Sequence, residues 1–211
     1  MFRKVTPSLS PGRLKTTIIA LGCVLYVSLS LVMWARHSHR SAPALSTQSI
    51  GGPFTLVTSA SDVVTDQSYR GKWKIVYFGY TYCPDVCPMT LRSLSDALNW
   101  LGPLSATTAP LFITLDPKRD TPIAMGAYLK NFDSRIIGLT GTDAQIDEVA
   151  KSYRVFHSLY RTGAGPNDYV VDHSSLIYVM NPDGKFAGAF SSEISGDAMA
   201  AQIRQFIDNA S

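Results

Sequence analysis

Two of the three cysteines in this 211-residue chain stand in one short stretch, "YFGYTYCPDVCPMT", residues 77–90. Cys83 and Cys87 have three residues between them. On a helix, positions i and i+4 share a face about one turn apart, so both sulfurs can point to the same side. A helix is expected from about Pro84 to Leu101, with proline at its first position and Leu91, Leu94, Leu98 and Leu101 as its apolar stripe. Cys83 then lies at the helix start and Cys87 within its first turns. Backbone N–H groups and the positive end of the helix dipole favour thiolate there. A thiolate is both a nucleophile and a soft metal ligand, so the pair can serve disulfide exchange or chelation. Spacing alone does not choose between them. A purely structural disulfide is a weak explanation, because so small a loop removes little unfolded-state entropy.

Chelation calls for a third ligand. Soft thiolates suit Cu(I), and imidazole suits Cu(II) as well. The four histidines are His37, His39, His157 and His173. His37 and His39 fall in a polar stretch without fixed geometry. His157 lies in or near a strand and reads as a structural or exposed residue. His173 stands in "VVDHSS", immediately before a buried strand, where a sheet can bring it back over the start of the first helix. The residues alone leave it as either a ligand or a satisfied buried histidine.

The elements that must position these groups follow from pattern. Phe54–Val57 and Val63–Thr65 form a short hairpin around a Ser/Ala/Asp turn. Lys74–Gly79 and Pro110–Leu115 are buried strands rich in β-branched and aromatic residues. Thr121–Asn131 is a helix, Arg135–Leu139 a short strand, and Thr142 the N-cap of a helix through about Tyr153. Val155–Leu159 is a further strand, and residues 162–168 a loop. Ser175–Met180 and Lys185–Phe190 flank the turn Asn181-Pro182-Asp183-Gly184 as a hairpin, and a last helix covers about Gly196–Asp208. Alternating strands and helices imply a mainly parallel sheet with helices on both faces, made mixed by the closing hairpin.

Composition is that of a globular protein, 45% hydrophobic and 17% charged with net charge +3, except near the start. Thr16–Trp34 runs about 19 residues without a charge, long enough to span a bilayer as a helix. Arg3, Lys4, Arg13 and Lys15 precede it, and Arg36 and Arg40 follow. This asymmetry leaves the N-terminus in the cytoplasm and exports the rest. The alternative is a cleaved signal peptide ending at Ala42-Pro43-Ala44, against which the length of the apolar run argues. Cys23 reads as a small apolar residue of the span, not a lipoprotein cysteine. The expected organisation is a cytoplasmic segment over 1–15, a transmembrane anchor over 16–34, a tether over 35–52 and a folded domain over 53–211. The domain has no long Lys/Arg block, which excludes a nucleic-acid footprint.

Three blocks in this order, "YFGYTYCPDVCPMTL", "TLDPKRDTP" and "YVVDHSSLIYVMNPDGKF", make the chain resemble the Sco/SenC family of membrane-anchored copper proteins. The resemblance covers the anchor and essentially the whole domain. It implies a thioredoxin-like α/β fold, a mixed sheet flanked by helices, and a copper ion held by Cys83, Cys87 and His173. It also implies a part in building the binuclear copper (CuA) site of cytochrome c oxidase subunit II or a similar copper oxidase. Asp172 becomes a candidate to orient the histidine, beside a reading in which it only turns the loop. Asp116, Arg119 and Asp120 match the family's second block and are expected to brace a loop by ion pairing or to dock a partner. Two positions depart from the pattern. Tyr82 stands where members often carry His, and Met89 replaces a commonly polar residue and is expected to pack.

The leading expectation is therefore a copper chaperone, not an enzyme in the strict sense, that passes copper to the oxidase subunit. A periplasmic copper donor and a thiol reductant would be its further partners, and the bacterial inner membrane its place, in preference to the mitochondrial one. The alternative is a thiol–disulfide oxidoreductase that keeps the oxidase cysteines reduced, with Cys83 and Cys87 as attacking and resolving thiols. A peroxidase-like or redox-signalling role stands third. Exchange needs no imidazole, so His173 favours copper. The topology has a direct check: a reporter fused after Ser211 should be active only if its chemistry requires export. Activity of a strictly cytoplasmic reporter there would overturn the exported placement.

Overall fold

The structure, a computed structural model, describes Ser30 and residues 50–209. Apart from Ser30, the expected anchor lies outside the described residues, as do Cys23, His37, His39 and most of the expected tether. Among the described residues no helix is long and apolar enough to cross a membrane.

Nine strands and four α-helices make up the described part, with short 3-10 turns at Asp66–Tyr69 and Gly102–Thr107. In chain order they are β1 (Thr55–Thr58), β2 (Val63–Thr65), β3 (Trp73–Gly79), α1 (Val86–Leu101), β4 (Thr108–Thr114), α2 (Pro122–Leu129), β5 (Ile137–Thr140) and α3 (Asp143–Ser152). Then follow β6 (His157–Arg161), β7 (Tyr169–His173), β8 (Leu176–Met180), β9 (Phe186–Ser191) and α4 (Gly196–Asp208). Seven strands form one sheet in the order β2-β1-β5-β4-β3-β8-β9, and β6 and β7 pair only with each other.

β3 and β4 are buried along their whole length. Continuous burial explains their near-unbroken apolar and β-branched character. Side chains alternate across the sheet. Tyr77 stacks on Phe112 at 5.9 Å, while Phe78 meets Tyr153 and Tyr178 on the opposite face. The crossovers β3–α1–β4 and β4–α2–β5 step the same way across the sheet, so right-handed connections put both helices on one face. That face is Tyr77's: Gly79 lies under Cys87 of α1, and Gly138 of β5 lies under Met125 and Leu129 of α2. α4 joins them, packing against α1 and setting Phe206 over Gly188 of β9. The other face takes Tyr153 at the end of α3.

Local signals place most boundaries. Thr121 caps α2 by accepting from Ala124 N at 3.3 Å, and Pro122 follows at the first helical position. Thr142 and Gln145 form the capping box of α3. Three expectations need correction. α1 begins at Val86 with Asp85 as N-cap, leaving Pro84 outside. Pro88 stands in its first turn instead, where a missing N–H costs nothing. Parallel pairing is confined to β3–β4 and β4–β5, because β1 and β8 join this trio antiparallel. β7 was not expected as a strand, and its register pairs His173 with His157.

One carboxylate ties the segment before the cysteines to the sheet. Asp120, fully buried, accepts from Thr81 N at 3.0 Å, Thr81 Oγ1 at 2.5 Å and Thr114 Oγ1 at 2.6 Å. Its own carbonyl accepts from Thr140 Oγ1 at 2.7 Å. Burial raises its pKa, against the lowering effect of the Thr114 and Thr81 hydrogen bonds. The folded state therefore holds this proton more tightly than the unfolded chain. Stability from this group is present at acid pH and is lost as pH rises through the folded value. Asp120→Ala strands three donors and should cost about 2–3 kcal/mol at neutral pH, read by urea denaturation. The same variant should lose this acid-side contribution. A stability–pH curve identical to that of the unaltered protein would refute the assignment.

Candidate metal centre

The sequence folds so that three donors meet at the C-terminal end of β3. The chain leaves β3 at Gly79, passes through Tyr80–Tyr82, and turns into α1 with Cys87 as its second residue. Gly79 permits this approach: a Cβ there would stand 2.8 Å from Cys87 Sγ and 2.8 Å from the Phe112 ring. Cys87 is fully buried, and Cys83 is half-buried. The Cys87 backbone N–H points at Cys83 Sγ across 3.4 Å. His173, at the end of β7, places Nε2 3.7 Å from Cys87 Sγ. Its Nδ1 lies 3.0 Å from the carbonyl oxygen of Ser174. A carbonyl only accepts, so Nδ1 carries a proton, and Nε2 is the ring atom that faces the sulfurs.

The two thiols are unequal. A hydrogen bond with Cys87 lowers the Cys83 pKa to about 4, helped by His173 and by the backbone N–H groups of Cys87 and Asp85, against the opposing effect of burial. The same bond to Cys83 raises the pKa of Cys87, and burial and the Cys83 charge push it further the same way. The pair thus holds one thiolate at the surface and one thiol beneath it. Tyr77, also fully buried, donates its hydroxyl to Cys87 Sγ at 3.6 Å. The rings of Tyr77 and Tyr80 stand edge-on to His173 at 6.4 and 6.1 Å.

All three expected site residues, Cys83, Cys87 and His173, are thus brought together. Among the described residues, no three Cys, His, Asp or Glu side chains already close as a cage around one point. The donors are in mutual contact, without a finished coordination shell. A groove of about 490 Å³ opens beside Cys83, between the start of α1 and the β6–β7 ribbon, with Leu159 and Tyr160 exposed at its rim. Asp172 also lines this groove. It alternates with His173 along β7 and so points to the opposite face. His157 stands opposite His173 on β6, with its Nε2 3.4 Å from Asp147 Oδ1. Met89, expected to pack, is exposed instead. Asp116 and Arg119 form the loop-bracing ion pair, both almost fully buried. Sequence reading missed Tyr77 and Gly79 as parts of the site. Both lie on the α1 face of β3 by simple alternation, which was the signal available.

The inequality of the thiols sets a measurable order. At pH 6, Cys83 is ionised and reachable, and Cys87 is neither. Iodoacetamide should modify Cys83 first, with Cys87 reacting only in denaturant, as read by peptide mass spectrometry. The Cys83 rate should hold down to about pH 5 and fall as pH drops through about 4, because a depressed pKa keeps the thiolate until then. Equal rates at the two sulfurs would contradict the assignment.

Comparison with known proteins places the chain among relatives. The family model described as SCO1/SenC matches residues 42–208. The human mitochondrial protein SCO1 homolog is 38% identical over 174 residues, which cover 80% of this chain and 54% of that protein. The chain spans about half the length of several curated relatives it matches. The structure of Bradyrhizobium japonicum ScoI with copper bound is 41% identical, with a TM-score of 0.69 over 74% of this chain and 99% of that one. Yeast Sco1 with copper bound is 38% identical, with a TM-score of 0.70 over 76% of this chain and 89% of the other. The mixed sheet flanked by helices is thus the thioredoxin-like fold of these Sco proteins. A match over residues 42–208, nearly the whole folded part, means that the chain belongs to the SCO1/SenC family.

Proposed function

We propose that this chain binds copper through Cys83, Cys87 and His173 and hands it to the CuA site of a cytochrome c oxidase subunit II or a similar copper oxidase during assembly. The observation that carries this reading is the contact of two cysteine sulfurs and an imidazole nitrogen beside an open groove. The donor set fits the ion: sulfur suits Cu(I), and imidazole extends the site to Cu(II). Partial exposure of Cys83 gives an incoming ligand a sulfur to approach, as transfer by ligand exchange requires.

The organisation that goes with this function is an anchor over 16–34, a tether over 35–52 and a copper-binding domain over 53–211 on the exported side of the inner membrane. A periplasmic donor supplies the copper, and a reductant keeps the two thiols open.

The unequal thiols support a second reading, thiol–disulfide exchange. The Cys83 thiolate attacks a partner disulfide, and Cys87 then displaces the partner's second sulfur. The partner leaves with two thiols, and this chain keeps the Cys83–Cys87 disulfide.

One paired experiment on the full chain in detergent separates these readings. The reduced protein should bind one copper ion and the disulfide form little or none, since a disulfide sulfur has lost its thiolate charge. His173→Ala should weaken Cu(II) more than Cu(I) and should abolish oxidase assembly in cells, while the cysteines still form and exchange their disulfide. Normal Cu(II) affinity together with normal assembly would remove His173 from the ligand set. Lost assembly with both copper affinities intact would put exchange ahead of delivery.

A further inference from the structure

β7 delivers His173, yet it belongs to a two-stranded ribbon that makes no ladder bonds to the main sheet. A lone two-stranded hairpin is marginally stable, so its orientation must come from elsewhere. The ties are side chains: Val171 of β7 packs into the core, the Tyr80 hydroxyl bonds the Val171 backbone, and the remaining polar ties gather on Arg119. This residue sits in the loop after β4, with its side chain only 7% exposed. Its Nε pairs with Asp116 Oδ2, and the other oxygen of Asp116 accepts from the Tyr169 hydroxyl at 2.8 Å. Its Nη1 donates to the carbonyls of Asn167 and Tyr169, both at 3.1 Å. The guanidinium carbon lies 3.7 Å from the Tyr169 ring centre, 4.7 Å from that of Tyr82 and 5.8 Å from that of Tyr80. Nη2 is buried with no hydrogen-bond partner.

One planar cation therefore touches three segments at once: its own loop, the segment leading into Cys83, and the first residue of β7. Lysine offers neither the fork nor the stacking plane. Tyr169 and His173 are four residues apart on one strand, so they leave it on the same face. Gripping Tyr169 by ring, hydroxyl and carbonyl sets the face and twist of this five-residue strand. The buried, unbonded Nη2 is costly, and is retained where stacking holds the guanidinium in this plane.

We infer that Arg119 is the positioning residue of the metal centre: by clamping Tyr169 against the Tyr80–Tyr82 segment, it holds His173 over the cysteine pair. The inference rests on His173 being a ligand.

The test uses the full chain in detergent and compares Arg119→Gln with His173→Ala. Groups that orient a metal ligand typically change affinity by about 10–100-fold when removed. Arg119→Gln should weaken Cu(II) by that order and leave Cu(I), held by the two sulfurs, near its original affinity. The imidazole-nitrogen coupling in the Cu(II) paramagnetic resonance spectrum should broaden or vanish. If Arg119→Gln does not fold, Arg119→Lys decides. It keeps the charge beside Asp116 without reaching both carbonyls, and should show the same split, reduced. Unchanged affinities and spectrum, or equal loss of both ions, would overturn the inference while leaving the ligand reading intact. Normal Cu(II) affinity in His173→Ala would instead bring down the ligand reading, and this inference with it.

Discussion

The centre depends on one close approach, the sulfur of Cys87 against the backbone of Gly79. β3 runs through the core with a large side chain at nearly every position, and it stops being bulky only where α1 must come down onto it. A side chain at that point would lift the first turn of the helix off the sheet. Everything distinctive about the sulfur pair follows from this seat. Cys87 lies buried against the sheet end, and its hydrogen bond with Cys83 together with that burial raises its pKa, against the opposing effect of the Tyr77 hydroxyl. Cys83, left outside, receives the hydrogen bonds and holds the charge. Burial and exposure thus divide one short motif into two chemically different sulfurs.

The loop after β4 does for the rest of the centre what Gly79 does for Cys87. Its two acids and one arginine face different ways. Asp120 points inward and binds the segment before the cysteines to β4. Asp116 and Arg119 point toward Tyr169 and the ribbon. Surface ion pairs contribute little to stability, but this one is sheltered and linked to main-chain groups, a setting in which geometry counts for more than net energy. A stretch of five residues, 116–120, thereby helps register two parts of the chain against each other.

Local rules carried much of this into the sequence. The stripe of Leu91, Leu94 and Leu98, the Thr142 cap and the Asn181–Gly184 turn each specify their element without tertiary help. Residue spacing brought Cys83 and Cys87 together at a helix start, but only the resemblance to a family raised His173 above a buried histidine. Several features stayed hidden for physical reasons. β7 pairs with a single partner and ends in Asp172 and His173, so it lacks the clean alternation of a half-buried strand. β1 takes its place beside β5 through non-local pairing that no local pattern encodes. Met89 faces outward because the first turn of α1 buries Cys87 and Thr90 instead. The aromatic stack around Arg119 joins residues up to 89 positions apart in the chain, Tyr80 and Tyr169, a distance at which sequence carries no geometric signal.

The separation of the β6–β7 ribbon from the main sheet has a thermodynamic consequence. Cooperative opening units tend to follow supersecondary motifs, and the free energy of opening each one reflects the bonds it shares with its neighbours. The ribbon can leave the body without breaking a single ladder bond, whereas freeing Cys87 requires disrupting the packing of α1 on β3 and β4. Imidazole and sulfur are thus supplied by two foldons of different rank. Amide exchange across residues 157–173 would sample openings that leave β3 protected, and the nitrogen donor would come and go on that faster clock while the sulfurs stay fixed.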